Sequence, residues 1–136
     1  MRYGITASGL VGIGGAAGSL ARYGLSLLAQ GFSIEWPFGT FAANALGCLV
    51  IGAVAELSAK GEVLSPEARL FLATGFCGGF TTLSSMVYET MQMLKSNEYF
   101  DASLYVGLTL IASMMAFLLG SVAVRVTVKA AGGLWN

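Results

Sequence analysis

Residues 73–90, ATGFCGGFTTLSSMVYET, hold the chain's densest set of groups able to do chemistry. Gly75, Gly78 and Gly79 come first, then the hydroxyls of Thr81, Thr82, Ser84 and Ser85, then one carboxylate, Glu89. Elsewhere the candidates are sparse: Arg22, Asn44, and the trio Tyr105, Thr109 and Ser113. The trio is spaced i, i+4, i+8, which stacks it on one helical face. This inventory argues against an enzyme. The chain has no histidine, no metal-ligand cluster and no nucleophile with a base beside it. What remains is a set of hydrogen-bond donors: hydroxyls, a carboxamide, a guanidinium, and the backbone amides that a helix break would free. Such a set suits a small, strongly hydrated anion, whose lost water must be replaced by donors.

The elements that must position these groups are read from composition. The chain has 136 residues, enough for one domain; it is 56% hydrophobic and only 10% charged, against roughly 25% charged in soluble proteins. Residues 3–21, 36–55, 70–88 and 102–124 carry no charge at all. A spanning helix needs about 20 apolar residues. The pattern predicts an all-α membrane protein, a single domain of four transmembrane helices over about 3–30, 38–58, 67–95 and 102–126. A soluble bundle would need polar outer faces that the sequence does not supply. The first apolar run is too long for the core of a signal peptide. Cys48 and Cys77 both fall within spans, which predicts small apolar packing and not a disulfide. The net charge is zero, so nothing points to nucleic acid.

Each polar residue admits two readings. Arg22, near the end of the first span, either snorkels to the interface or faces a watery cavity. Asn44 either glues helices together or lines a polar path. The third segment is long for one span and is expected to break near its middle, at Gly78-Gly79. There the hydroxyls that follow can satisfy freed backbone groups. A mere kink is the plainer reading, but four hydroxyls in five positions exceed what a kink needs. A true break leaves one half ending in free carbonyls, which favour cations, and the other starting with free amides, which favour anions. The Tyr105–Thr109–Ser113 ladder either passes a small ion from donor to donor or bonds its own helix four residues back. Ser65-Pro66-Glu67 reads as the cap, first helical residue and acidic first turn of the third segment. The Gly-rich face Gly12, Gly15, Ala16, Gly18 and Ser19 reads as close helix packing. Trp36 suits an interfacial belt.

Three stretches in order then carry a resemblance that covers almost the whole chain. GGAAGSLARY (14–23), PFGTFAANALG (37–47) and TGFCGGFTTLSS (74–85) resemble the corresponding motifs of the Fluc/CrcB family of small fluoride channels. The resemblance implies a fluoride-specific channel that exports fluoride passively across the cytoplasmic (inner) membrane. It implies an antiparallel dimer with two pores, and a structural sodium ion between the subunits. Backbone carbonyls of Gly78 and Thr81 would hold that ion. It further implies that Arg22 and Glu89 belong to a vestibule, and that Asn44, Ser84, Ser85, Tyr105, Thr109 and Ser113 belong to the ion path. The family's core usually reads T-T-F-S-T-F, with both phenylalanine rings facing the ion. Here the aromatic positions are Leu83 and Met86, and Ser85 replaces a threonine, so the aromatic part of the mechanism does not carry over to these wall residues.

Charge placement adds an expectation. Arg2, Lys60, Arg69, Arg125 and Lys129 fall on one side of a four-span chain, Lys95 and Arg22 on the other. That bias predicts cytoplasmic termini. It also raises the prospect that the partner is a paired homologous chain instead of a second copy. Two readings compete with the channel. A small multidrug or guanidinium exchanger needs a carboxylate in its first helix, and residues 3–34 contain none. A non-transporting membrane assembly protein would not need a hydroxylated helix break.

Overall fold

A computed structural model of the chain describes residues 2–33, 36–59 and 63–130, with side chains from residue 6 onward. Among the described residues every regular element is a helix. Helix α1 is Arg2–Ala29, α2 is Phe38–Ala59, and α3 runs through residues 66–80. After a short extended link come α4, Leu83–Lys95, and α5, Tyr99–Ala130. Three stretches are long and apolar enough to cross a membrane: α2, the α3–α4 pair from Pro66 to Lys95, and α5. Helix α1 is as long, at 28 residues, but its many small residues make it less apolar.

Helix α3 starts as the sequence predicts. Ser65 caps it, its hydroxyl accepting from the Ala68 N–H at 3.1 Å, and Pro66 takes the first turn, where its missing N–H costs nothing. From Leu70 to Cys77 the helix widens to π geometry, then returns to α over Gly78–Phe80. The interruption itself falls at Thr81 and Thr82, both extended, and not at the Gly78-Gly79 pair. The reason is packing. A side chain at Gly79 would strike the Gly15 carbonyl of α1, and one at Gly18 would strike the Phe76 carbonyl. These glycines let two backbones approach, as small residues do between membrane helices. Gly79 therefore stays helical against α1, and the chain breaks two residues later.

The other close pair is α2 with α5, whose packing is about as extensive as that of α1 with α3. It too is backbone to backbone: an added Cβ at Gly52 would meet the Phe117 carbonyl, and one at Gly120 the Leu49 carbonyl. Asn97, at φ 64°, ends α4 and turns the chain into α5, so the turn is shorter than residues 96–101 and α5 starts at Tyr99. Trp36 is partly buried. Its ring packs on Phe38, Phe41 and edge-on against Tyr105, with centroids 5.0, 5.4 and 5.1 Å apart. Outside these contacts α5 presents Ile111, Met114, Met115, Leu118, Leu119 and Val122 to its surroundings, an exterior suited to hydrocarbon and not to water.

Candidate functional site

The site is built around the two-residue gap between α3 and α4. On the α3 side, the Thr81 N–H and hydroxyl both donate to the Cys77 carbonyl at 2.9 Å, which tightens the last turn. On the α4 side, the Thr82 hydroxyl accepts from the Ser85 N–H at 3.1 Å as an N-cap. It also donates to the Ser85 hydroxyl at 3.0 Å and pairs with that of Ser84 at 3.2 Å. Asn44 of α2 spans the gap. Its Oδ1 accepts from the Thr82 N–H at 2.7 Å, and its Nδ2 donates to the Thr82 carbonyl at 3.1 Å. One carboxamide thus satisfies both backbone groups of the extended residue, as a neighbouring strand would. Burying those groups unpaired would be costly.

Two consequences follow for the freed ends. The Thr82 N–H is the donor that would ordinarily bond the Gly78 carbonyl four residues back; taken by Asn44, it leaves that carbonyl without its helical partner. The Gly79 carbonyl is claimed from α1, by the Arg22 Nε at 3.2 Å and the Ser19 hydroxyl at 3.4 Å. Arg22 is therefore half-buried against the break, bonded through its Nε to that carbonyl.

Beside the gap lies a cavity of about 240 Å³ lined by Asn44, Cys48, Thr81, Thr82, Leu83, Met86, Thr109, Leu110 and Ser113. It brings together five of the residues expected on an ion path: Asn44, Leu83, Met86, Thr109 and Ser113. Ser84 and Ser85 are outside its lining and join it only through the Thr82 hydroxyl. The α5 ladder is divided. The Thr109 hydroxyl donates to the Tyr105 carbonyl at 2.7 Å, the back-bonding alternative, and keeps only its lone pairs for other partners. Tyr105 is fully buried and points elsewhere, its hydroxyl donating to Glu89 Oε2 at 2.6 Å. Thr40 donates to the other oxygen, Oε1, also at 2.6 Å. Both carboxylate oxygens of Glu89 are held by hydroxyls at the length of strong, charge-assisted bonds.

Four contributors escaped the sequence reading. Ser19 lies on a small-residue face whose sequence signature is packing, and the partner of Thr40 lies 49 positions away. Cys48 looked like filler, yet it lines the cavity. Glu56 pairs with Arg125, accepting at 3.1 and 3.0 Å from its Nε and Nη2, and accepts from Ser121 at 2.8 Å. Charge periodicity could have flagged that pair alone. Glu35, Lys60 and the Arg2 side chain lie outside the described residues. Also among the described residues, no three His, Cys, Asp or Glu side chains converge as a metal site.

Fold and site together define a small multi-pass membrane protein whose working groups surround an interrupted helix. The profile of the family described as "CrcB-like protein, Camphor Resistance (CrcB)" matches residues 9–121. Similar proteins called "Fluoride-specific ion channel FluC" occur in Prosthecochloris aestuarii, Chlorobaculum tepidum and Sorangium cellulosum. The first is 47% identical over 86% of this chain and 91% of its own length. The second is 46% identical over 85% and 92%, and the third 44% over 85% and 91%. The chain belongs to the CrcB family.

Proposed function

We propose that the chain is a fluoride-specific channel, letting fluoride leave the cell down its gradient across the cytoplasmic membrane. The single observation that carries this reading is the cavity at the break. Among the described residues its lining holds an amide, hydroxyls and apolar groups, and no charged side chain. A small anion is stabilised there by dipoles that replace its water without binding it too tightly to leave. The second Asn44 amide hydrogen, the Ser113 hydroxyl and the positive N-terminal end of α4 supply those dipoles. The relatives named as fluoride-specific channels support the choice of ion. A channel performs no bond-making chemistry, so the protein is not an enzyme. The test is fluoride release from liposomes holding the purified protein; release no faster than from empty liposomes sinks the reading.

The working unit is an antiparallel dimer with two pores, in which α1 is the fourth span. The carbonyls of Gly78 and Thr81 would hold a structural sodium ion between the subunits. Two features support this. The Gly78 carbonyl has lost its helical donor, and a Cβ added at Gly78 would meet nothing within 4 Å in the single chain. That space is open for a facing copy. Free carbonyls at a helix C-terminus favour a cation. We take the partner to be a second copy of the chain; a paired homologue of fixed orientation is the alternative that the bias of Lys and Arg between the two sides would favour. Gly78→Ile has room in the monomer. It is expected to leave the subunit folded but shift it from dimer to monomer by light scattering in detergent, with sodium present. A variant that stays dimeric would remove Gly78 from the interface.

A further inference from the structure

We propose that the cavity at the break also carries a site for a soft, thiophilic monovalent cation, held by the Cys48 thiolate with the Met86 thioether, and that its occupation closes the anion path. The closure half rests on the channel reading above; the binding half stands without it. Cys48 lies one helical turn beyond Asn44 on α2, and Met86 lies one turn inside α4; both line the cavity of about 240 Å³. Cys48 also lines an adjoining apolar cavity of about 360 Å³, whose wall includes Met114. Leu110 and Ser113 are common to both cavities. Three sulfur-bearing side chains therefore border two adjoining spaces, and Cys48 is the one that touches both. It is a free, half-buried thiol, whereas Cys77, also free, is only 2% exposed.

The chemistry selects the cation. Hard cations seek carboxylates, and the cavity lining has none among the described residues. Silver or cuprous ions prefer thiolate and thioether donors. On binding, the Cys48 S–H bond is exchanged for a sulfur–metal bond and the proton passes to water. No electron is transferred. The thiolate and the cation neutralise each other, so the pair can sit in apolar surroundings where either charge alone would be expelled. The occupied site lies beside Asn44, Thr109 and Ser113, the groups an anion must pass.

Silver nitrate is the probe, added to the full-length protein in chloride-free medium, with two readouts. Maleimide labelling of Cys48 reports binding, and fluoride efflux from liposomes reports closure. Silver is expected to protect Cys48 from labelling and to suppress wild-type efflux, since a soft cation prefers the thiolate and thioether donors of the cavity. Each variant is compared with its own silver-free rate. Cys48→Ser becomes insensitive, Cys77→Ser remains sensitive, and Met86→Leu requires roughly tenfold more silver, the scale at which losing a supporting group weakens metal sites. Labelling that proceeds unchanged in silver overturns the site whether or not fluoride moves. Protection without slowed efflux overturns closure, and an unchanged silver requirement in Met86→Leu removes the thioether from the site. A protein that conducts no fluoride even without silver overturns the channel reading and closure together, while the labelling readout still decides binding.

Discussion

Asn44→Ala is expected to reduce fluoride efflux to the level of empty liposomes and to destabilise the protein by about 1–3 kcal/mol, the cost of leaving one backbone donor without its partner. That donor is the Thr82 N–H, 2.7 Å from Asn44 Oδ1. The Thr82 carbonyl, 3.1 Å from Asn44 Nδ2, loses one of two donors, because as the N-cap it also accepts the first bond of α4. Without it, Thr82 recovers its hydrogen bonds most easily by turning helical. That rejoins α3 to α4 and returns the Thr82 N–H to the Gly78 carbonyl. The cavity wall and the freed carbonyl would disappear in the same movement. Asn44→Asp separates the two contacts. It can still accept from the Thr82 N–H but cannot donate to the carbonyl, so its stability should fall between wild type and Asn44→Ala. Thermal unfolding of the three proteins in one detergent, alongside efflux, checks the order. An alanine variant that unfolds and conducts like wild type would show that the gap is held open by something else.

The second large effect is expected at Glu89. Its two oxygens accept from Tyr105 and Thr40, and Tyr105 is completely buried with its ring edge-on to Trp36. Glu89→Ala leaves two hydroxyls without an acceptor, a loss of about 2–6 kcal/mol at the same unit cost. Glu89→Gln keeps one carbonyl acceptor and should lose roughly half as much. Trp36 fluorescence offers a local report, because the indole belongs to the same cluster. A shifted emission in Glu89→Ala at temperatures below unfolding is the expected signature. Equal unfolding temperatures for wild type, glutamine and alanine would mean that the two hydroxyls find acceptors elsewhere.

How much of this could be read from the chain follows from the range of each interaction. Uncharged runs made the apolar helices legible, and the Ser65-Pro66 start was legible because a cap is written within four residues. The existence of an interruption was legible from the hydroxyls after Gly78-Gly79. Its position was not. A glycine in a helix costs only about 1 kcal/mol, so contacts with α1 decide whether Gly79 is helical, and they do so through Gly15. What opens the chain at Thr82 is Asn44, 38 positions earlier. The same limit applies to the polar residues. Periodicity placed Tyr105, Thr109 and Ser113 on one face, but the destination of each hydroxyl depends on partners that spacing does not encode. Tyr105 turns to Glu89, Thr109 to its own helix, and Ser113 alone keeps the expected place with its hydroxyl uncommitted to either. The acceptor of Arg22 is likewise hidden from spacing, because it is a carbonyl that becomes available as a partner only once the helix is broken.

The central claim is that uncharged donors at the break pass fluoride selectively. The most direct test reconstitutes the purified protein in liposomes loaded with both fluoride and chloride, opens a potassium shunt, and follows each anion with its own electrode. The structure-based account predicts rapid release of fluoride and retention of chloride, with the fluoride signal lost in Asn44→Ala. Release of both anions at similar rates, or of neither, would contradict it.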